Sequence, residues 1–331
     1  MDKVMVLGAP FLDLMAGFPL KEAGVDLSSE VELKLSPGAP ASNVVTGLQR
    51  LGTNTAILGR AGDDWFGNYL KRAFQEEGVD TSRLFLGEGE STGIVFPVID
   101  GNGVQQSFEL INEPAQFDLS RRDIENLSFP EDGFLFADGV LLMEHPGREA
   151  LVEGVKQGRE EGITVVFDPN FRLPASALKK EGGRALELIL EAADFILLND
   201  EELETLRRFF DEKSRTEAVV ERLLASDTEA VIVKRGAEGH EVITGNESFN
   251  RGAFSVEVLD TQGAGDAFDA GFIAGLAKGL DYRHAALIGG GAGAIVCTGE
   301  TAWGPLPELD TLRFFLERKG EKELAEALEA G

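Results

Sequence analysis

Val256-Glu257-Val258-Leu259-Asp260-Thr261-Gln262-Gly263-Ala264-Gly265-Asp266-Ala267-Phe268 is the stretch whose reading decides the fold. Alternation over 256–259 predicts a strand, Gly-Ala-Gly a turn, and the small residues from Asp266 to about Leu280 a long helix. Such a turn leaves backbone N–H groups unpaired at the positive end of a helix, which suits an anion. Asp266 sets a carboxylate directly beside that pocket. Moving a phosphoryl group to a hydroxyl needs both parts: donors for the charge in transit and a base for the attacking oxygen. An acid at a helix start can also merely offset the dipole, worth under about 1 kcal/mol. The rest of the chain has to decide between the two.

Working outward, strands and helices alternate from Phe134 onward: strand 134–137, helix 147–161, strand 164–167, helix 182–192, strand 195–198, helices 200–210 and 216–225, strand 230–233. Before them come a first strand over Val4–Leu7, a helix 41–51 closed by Gly52, a strand 55–58 and a helix 64–77 ended by Gly78. This alternation predicts a parallel sheet covered on both faces, with ligands at the carboxyl ends of its strands. Two segments break the pattern, about 14–36 and 90–112. Val31-Glu32-Leu33-Lys34-Leu35 alternates as a half-exposed strand, and 92–99 with 104–110 flank a hairpin turn at Asp100-Gly101-Asn102-Gly103. We read the two segments as meeting in a small β lid on one domain, 1–331. The last helix, about 307–330, is charged and reads as peripheral.

Asp-Thr-x-Gly-Ala-Gly-Asp at 260–266 resembles the signature of the PfkB, or ribokinase-like, family of ATP-dependent carbohydrate and nucleoside kinases, and further matches follow in family order. The resemblance implies a three-layer α/β sandwich with a mostly parallel central sheet, helices on both faces, and a small lid. It implies that Asp266 is the catalytic base and that the amides of Gly263, Ala264 and Gly265 form the anion hole. Gly8-x4-Asp13 and Ser36-Pro37-Gly38-Ala39-Pro40-Ala41-Ser42-Asn43 match its amino-terminal motifs, so Asp13, Gly38 and Asn43 would hold the sugar. Ala39 stands where the family usually has a second glycine. Gly59 to Gly67 matches too, and reads mainly as two turns and an Asp cap.

Asp168-Pro169-Asn170-Phe171-Arg172 resembles the element of the fructokinase and 2-keto-3-deoxygluconate kinase branches, which places Asn170 on the pocket floor and Arg172 against a phosphoryl group or acidic substrate. Asn199-Asp200-Glu201-Glu202 reads on its own as a helix cap. By resemblance Asn199 stands near the phosphates and Glu202 organises Mg2+ through water. Lys234, Gly236 and Gly239 would approach the ATP phosphates, with a Gly-rich hairpin as the plain alternative. Asp260 and the Gln262 carbonyl, with backbone from about Val296 to Ala302, would hold a monovalent cation such as K+. Gly289 to Ala294 echoes a dinucleotide fingerprint but follows no strand, so it reads as a closely packed small-residue helix. The family places it beside adenine; Gly290 stands where members often carry Asn, and Thr301 where they often carry Gly.

Composition narrows the classes. With 31 Lys+Arg against 58 Asp+Glu the net charge is −27, which repels nucleic acid and anionic lipid; neither is an expected partner. Hydrophobic residues at 43%, including 22 Phe, supply a sizeable core. A single cysteine, Cys297, excludes an intrachain disulfide and fits a cytoplasmic setting, and the first residues read as a strand rather than a signal peptide. His145, His240 and His284 show no metal spacing or triad pattern and are assigned no chemistry. The expected protein is an ATP- and Mg2+-dependent sugar kinase, fructose or 2-keto-3-deoxygluconate favoured, forming a homodimer through lid edges. A ribose or nucleoside kinase is the alternative; a non-catalytic sugar or nucleotide sensor and a nicotinamide-dependent enzyme stand further off.

Overall fold

Short runs of branched and aromatic residues, apolar throughout at 4–7, 134–137, 195–198 and 230–233, give the central strands of a sheet covered on both faces. The structure, a computed structural model, describes residues 4–17, 20–21, 24–25, 32–99, 105–125, 127–129, 132–211 and 213–330. In chain order the principal strands are β1 (Val4–Leu7), β2 (Phe11–Gly17), β3 (Glu32–Gly38), β4 (Thr55–Gly62), β5 (Asp80–Gly87), β6 (Ile94–Ile99), β7 (Gln105–Glu109), β8 (Phe134–Asp138), β9 (Thr164–Asp168), β10 (Phe195–Asn199), β11 (Ala230–Lys234), β12 (His240–Ile243) and β13 (Ser248–Arg251). The main helices are α1 (Ala39–Arg50), α2 (Trp65–Glu76), α3 (Gly147–Glu160), α4 (Gly183–Ala192), α5 (Asp200–Phe210), α6 (Thr216–Leu223), α7 (Ala264–Ala277), α8 (Tyr282–Val296), α9 (Leu309–Arg318) and α10 (Lys322–Ala330).

The large sheet runs β13-β12-β11-β10-β9-β8-β1-β4-β5, parallel from β5 to β11, with β12 and β13 added antiparallel. Period-two alternation splits its side chains between two cores. Val4 and Val6 face the layer of α1, α2 and α7 to α10, while Met5 and Leu7 face the layer of α3 to α6. Helices on both faces make the three-layer sandwich that the alternation predicts. The second sheet, β3-β2-β6-β7, joins the two non-alternating segments, as expected: β2 pairs antiparallel with β3 and parallel with β6. The turn 100–103 lies outside the described residues.

Three expectations need correction. Residues 256–259 form no strand: Val258 and Leu259 are 56% and 65% exposed, no neighbouring strand takes up their backbone, and the Leu259 N–H donates to the Cys297 carbonyl at 2.8 Å. Alternation without an adjacent sheet edge is not a strand. The last helix is two, because Gly320 turns the chain at φ 93° between α9 and α10. Nor is it merely peripheral, since Leu312, Leu316, Leu324 and Leu328 are buried in the core. The helix after the signature starts earlier and ends earlier than expected, at Ala264 and Ala277.

Glycine stripes let α7 and α8 approach closely. A Cβ on Gly271 would stand 2.8 Å from the Gly289 Cα, and one on Gly289 2.6 Å from the Phe268 carbonyl. Gly289, Gly291 and Gly293 are therefore packing surface, as read, while Gly290 has room for a side chain. Asp64 likewise caps α2 by accepting from the Gly67 N–H at 2.7 Å and binds the Thr92 N–H at 2.8 Å, the structural part expected for 59–67. Among the described residues no helix is long and apolar enough to cross a membrane.

Candidate active site

Parallel strands end on one edge of the sheet, and there the polar residues gather. Asp138 and Asp168, the last residues of β8 and β9, are in register, as are Asn199 and Lys234 at the ends of β10 and β11. The start of α7 faces the same edge. Gly263 adopts φ 76°, and a Cβ there would stand 2.6 Å from that of Ala302, so only glycine makes this turn without displacing its neighbour. No side chain caps the helix. The Ala264 N–H donates to the Thr261 carbonyl at 3.2 Å, which closes the turn. That corrects the expectation that Ala264 offers a free amide. The N–H groups of Gly263, Gly265 and Asp266 have no partner among the described residues.

Asp266, half-buried in the first turn of α7, accepts a hydrogen bond on Oδ2 from Asn43 Nδ2 at 2.7 Å. Burial raises its pKa; the Asn43 bond and the nearby Lys234 charge pull it back only in part. Asn43 comes from α1, so this bond joins motifs 223 residues apart in the chain. Asp13 belongs to the same group. It pairs with Ser36 across β2 and β3, and a Cβ on Gly38 would fall 2.2 Å from its Cγ. Asp13 is 7% exposed; burial, then the Asp266 charge, push its pKa up to about 6 against the opposing charge of Arg172. Arg172 is exposed, yet its charge also acts on Asp266 and Glu202. Asn170 sits at φ 42° with its N–H on Asp168 Oδ1 at 2.9 Å, and its Nδ2 is buried without a partner.

Two motif departures keep the glycine backbone. Ala39 has φ 64° and Thr301 φ 73°, both in the left-handed region where a side chain is strained.

Lys234 departs from expectation. Its Nζ donates to Asp168 Oδ2 at 2.6 Å and to Asp269 Oδ1 at 2.9 Å, so its charge is already paired rather than free for phosphates. Burial works against the ammonium, and Asp168, Asp269 and Glu202 more than offset it. Burial likewise raises both acids; Lys234 and a hydrogen bond from Asp269 hold Asp168 below the usual carboxylate range, while Asp269 stays well above it. Nζ lies 3.7 Å from where a Gly265 Cβ would be, so this fixed charge stands behind the open amides. Asn199 and Glu202 form a full capping box: Asn199 Oδ1 accepts from the Glu202 N–H at 2.9 Å, and Glu202 Oε2 accepts from the Asn199 N–H at 2.8 Å. Glu202 is 8% exposed, and burial followed by the Asp168 charge push it up to about 8.

One cavity of about 620 Å³ takes in Asp168, Asn170, Asn199, Glu202, Lys234, Gly236, Gly239, Ala264, Gly265 and Asp266. Gly236 and Gly239 bracket the tight connection of the β11–β12 hairpin, so the plain reading of that segment and its place at the cavity hold together. Residues of α8, Cys297 and the 252–258 segment also line it. Asp260 is outside the lining; its Oδ1 accepts from the Gln262 N–H at 3.0 Å.

Sequence reasoning missed Asp138, Asp269 and His240. Asp138 is fully buried, its Oδ2 has no partner, and burial pushes it up to about 7. Its signal was an acid ending an apolar strand beside Asp168. Asp269 was visible only as a carboxylate inside an apolar helix. His240, assigned no chemistry, lines the cavity.

Known proteins resemble this chain in sequence and in fold. A family model described as pfkB family carbohydrate kinase matches residues 1–309. A probable fructokinase-7 of Arabidopsis thaliana is 26% identical over 313 residues, covering 92% of this chain and 91% of its own. A 5-dehydro-2-deoxygluconokinase of Geobacillus kaustophilus (strain HTA426) is 29% identical over 283 residues, 85% of this chain and 84% of its own. The crystal structure of a fructokinase from Vibrio cholerae O395, in its fructose, ADP and calcium ion bound form, superposes with a TM-score of 0.80 at 26% identity, covering 96% of this chain and 99% of that one. With a signature turn, a three-layer sandwich and a family match over nearly its whole length, the chain belongs to the pfkB family of carbohydrate kinases, phosphotransferases with an alcohol acceptor.

Proposed function

We propose that this protein transfers the γ-phosphoryl group of ATP to a hydroxyl of a monosaccharide or sugar acid, fructose or 2-keto-3-deoxygluconate being the favoured acceptors. One observation carries the reading: Asp266, held by Asn43 at 2.7 Å, stands beside the unpaired Gly265 and Asp266 amides. In that role Asp266 takes the proton of the attacking hydroxyl, and the amides of Gly263, Gly265 and Asp266 steady the oxygens of the group in flight. Lys234 backs them as a fixed charge.

The acceptor lies toward Asp13, Gly38 and Asn43. Asn43 Oδ1 is buried without a partner, as are Asp138 Oδ2 at the end of β8 and Asn170 Nδ2 two residues past the end of β9, and a polyol supplies the hydroxyls such atoms need. Arg172, whose charge acts on both Asp13 and Asp266, is the cation offered to the acceptor or its incoming phosphoryl group. Among the described residues no set of three or more His, Cys, Asp or Glu could hold a metal. A single carboxylate, Glu202, with Asn199 beside it fits Mg2+, which keeps its waters and binds phosphate oxygens. Bound there, Mg2+ would screen the ATP charge. Asp260 and the Gln262 carbonyl are the groups offered to K+.

The second sheet acts as the lid of a single domain and closes over the acceptor to exclude water. Leu33 and Phe108 on that sheet, with Leu110 just beyond it, are 61%, 51% and 49% exposed. Covering them and the sheet edges favours a homodimer through the lid. The deciding experiment is Mg2+-dependent ADP release across fructose, 2-keto-3-deoxygluconate, tagatose 6-phosphate, fructose 6-phosphate, ribose and nucleosides. Release with a hexose or sugar acid is the expected result; none with any acceptor would refute the reading.

A further inference from the structure

Asp269 is a carboxylic acid set in an apolar helix. Its neighbours on α7, Phe268, Ala270, Phe272 and Ile273, are core residues, and its own side chain is fully buried. Bringing an acid there costs desolvation, and a buried ion pair seldom returns more stability than a well-packed aliphatic group of similar volume. Stability therefore does not account for an acid at this place. Its partners do. Lys234 Nζ donates to Asp269 Oδ1 at 2.9 Å and Oδ2 at 3.2 Å, and to Asp168 Oδ2 at 2.6 Å. Asp269 in turn donates to Asp168, so one carboxyl accepts from the ammonium and gives to its neighbour.

This group joins three elements that each lead into the site. Asp168 closes β9 and holds the Asn170 N–H at 2.9 Å. Lys234 closes β11 just ahead of the turn at Gly236 to Gly239. Asp269 lies three residues along α7 from Asp266, so the two acids stand one above the other on the helix. Asp266 bonds across to Asn43 of α1, and Asp269 bonds to the strand ends. The start of α7 has little else of this kind. No side chain caps it, and the segment leading in forms no strand, with Val258 and Leu259 exposed. Resting on the kinase reading above, we propose that Asp269 is a positioning residue: through Lys234 and Asp168 it fixes the first turn of α7, and with it the Gly265 amide and the Asp266 carboxylate, against the end of β9 and Asn170.

Steady-state ADP release by the full chain with each sugar, sugar phosphate and nucleoside of the panel above, beside urea unfolding of every variant, tests this. Asp269→Asn keeps an acceptor for Lys234 and a donor for Asp168, so its kcat should stay within about 3-fold of wild type. Asp269→Leu, similar in volume but unable to bridge, should lower kcat about 10–100-fold with both KM values nearly unchanged, because a small misplacement of reacting groups costs that much. Asp269→Ser, whose single hydroxyl is too short to bridge both partners, should fall with it, and decides the matter if the Leu variant does not fold. Wild-type kcat in the Leu or Ser variant would overturn the inference while leaving the kinase reading intact. So would an Asn variant as slow as the Leu one, or a loss of rate that only follows the loss of folded protein. A wild type that releases no ADP with any acceptor would remove the kinase reading, and this inference with it.

Discussion

Two helices begin at the same edge of the sheet and treat their first amides in opposite ways. At α5, Asn199 and Glu202 satisfy each other's backbone N–H groups, a closed end made entirely from the chain's own side chains. At α7, a left-handed glycine replaces the cap, no side chain covers the amides, and the acid in the first turn bonds to Asn43 of a distant helix instead. Both sequences carry an Asn or Asp and an acid near a helix start. What separates them is where the acid points, and that follows from the glycines: they bring the turn against Ala302 and leave Asp266 facing α1. A closed end stabilises a helix; an open one leaves donors for something that is not protein.

The contrast can be broken most sharply at the open end. Asp266→Asn should lower kcat by about 10²–10⁴ or more with KM nearly unchanged, read from steady-state ADP release; near-wild-type turnover would make Asp266 just another helix-start acid. Next comes the buried Asp138, whose Oδ1 accepts from the Val140 N–H while Oδ2 has no partner. With its folded pKa raised to about 7, its stabilising share is complete below the unfolded value near 4 and is lost as pH rises through 7. Asp138→Asn should therefore be more stable than wild type by about 2–4 kcal/mol at pH 8 and equal to it near pH 4, measured by urea unfolding at both values. A gain independent of pH would mean that the carboxyl is not charged at pH 8.

At the closed end, Asn199→Ala should cost about 1 kcal/mol of stability. Glu202→Gln, which preserves a capping box, should cost little stability but raise the Mg2+ concentration for half-maximal rate. If Glu202→Gln changes neither, α5 begins with a cap and nothing more. The smallest effect belongs to Ala39→Gly, which relieves the φ 64° backbone and should shift stability by under about 1 kcal/mol without altering turnover.

The sequence made some of this legible and hid the rest for physical reasons. Local signals carried the elements: apolar runs for β8 to β11, Gly52 and Gly78 for the ends of α1 and α2, Asn199 for the start of α5 at Asp200. Residues 256–259 misled because alternation records only which side chains face water, while a strand also needs a neighbour for its backbone. The break at Gly320 lay in a charged run where either one helix or two satisfies periodicity. Within the site, Gly263, Asp266 and Asn43 could be named from motif order, yet their 2.7 Å contact spans 223 residues of chain. Lys234 looked free because its partners, Asp168 and Asp269, come from other elements. Asp138 and His240 escaped for the same reason: sequence neighbours do not show that a polar atom will be buried without a mate.

Cys297 gives the cavity wall a further use. It is the only thiol in the chain, it borders the same chamber as Asp266, and burial, then the negative charge of Asp260, push its pKa up. A sulfhydryl reagent therefore labels one known spot with no background from other sites, and its rate of attachment becomes an optical gauge of whether that chamber is filled.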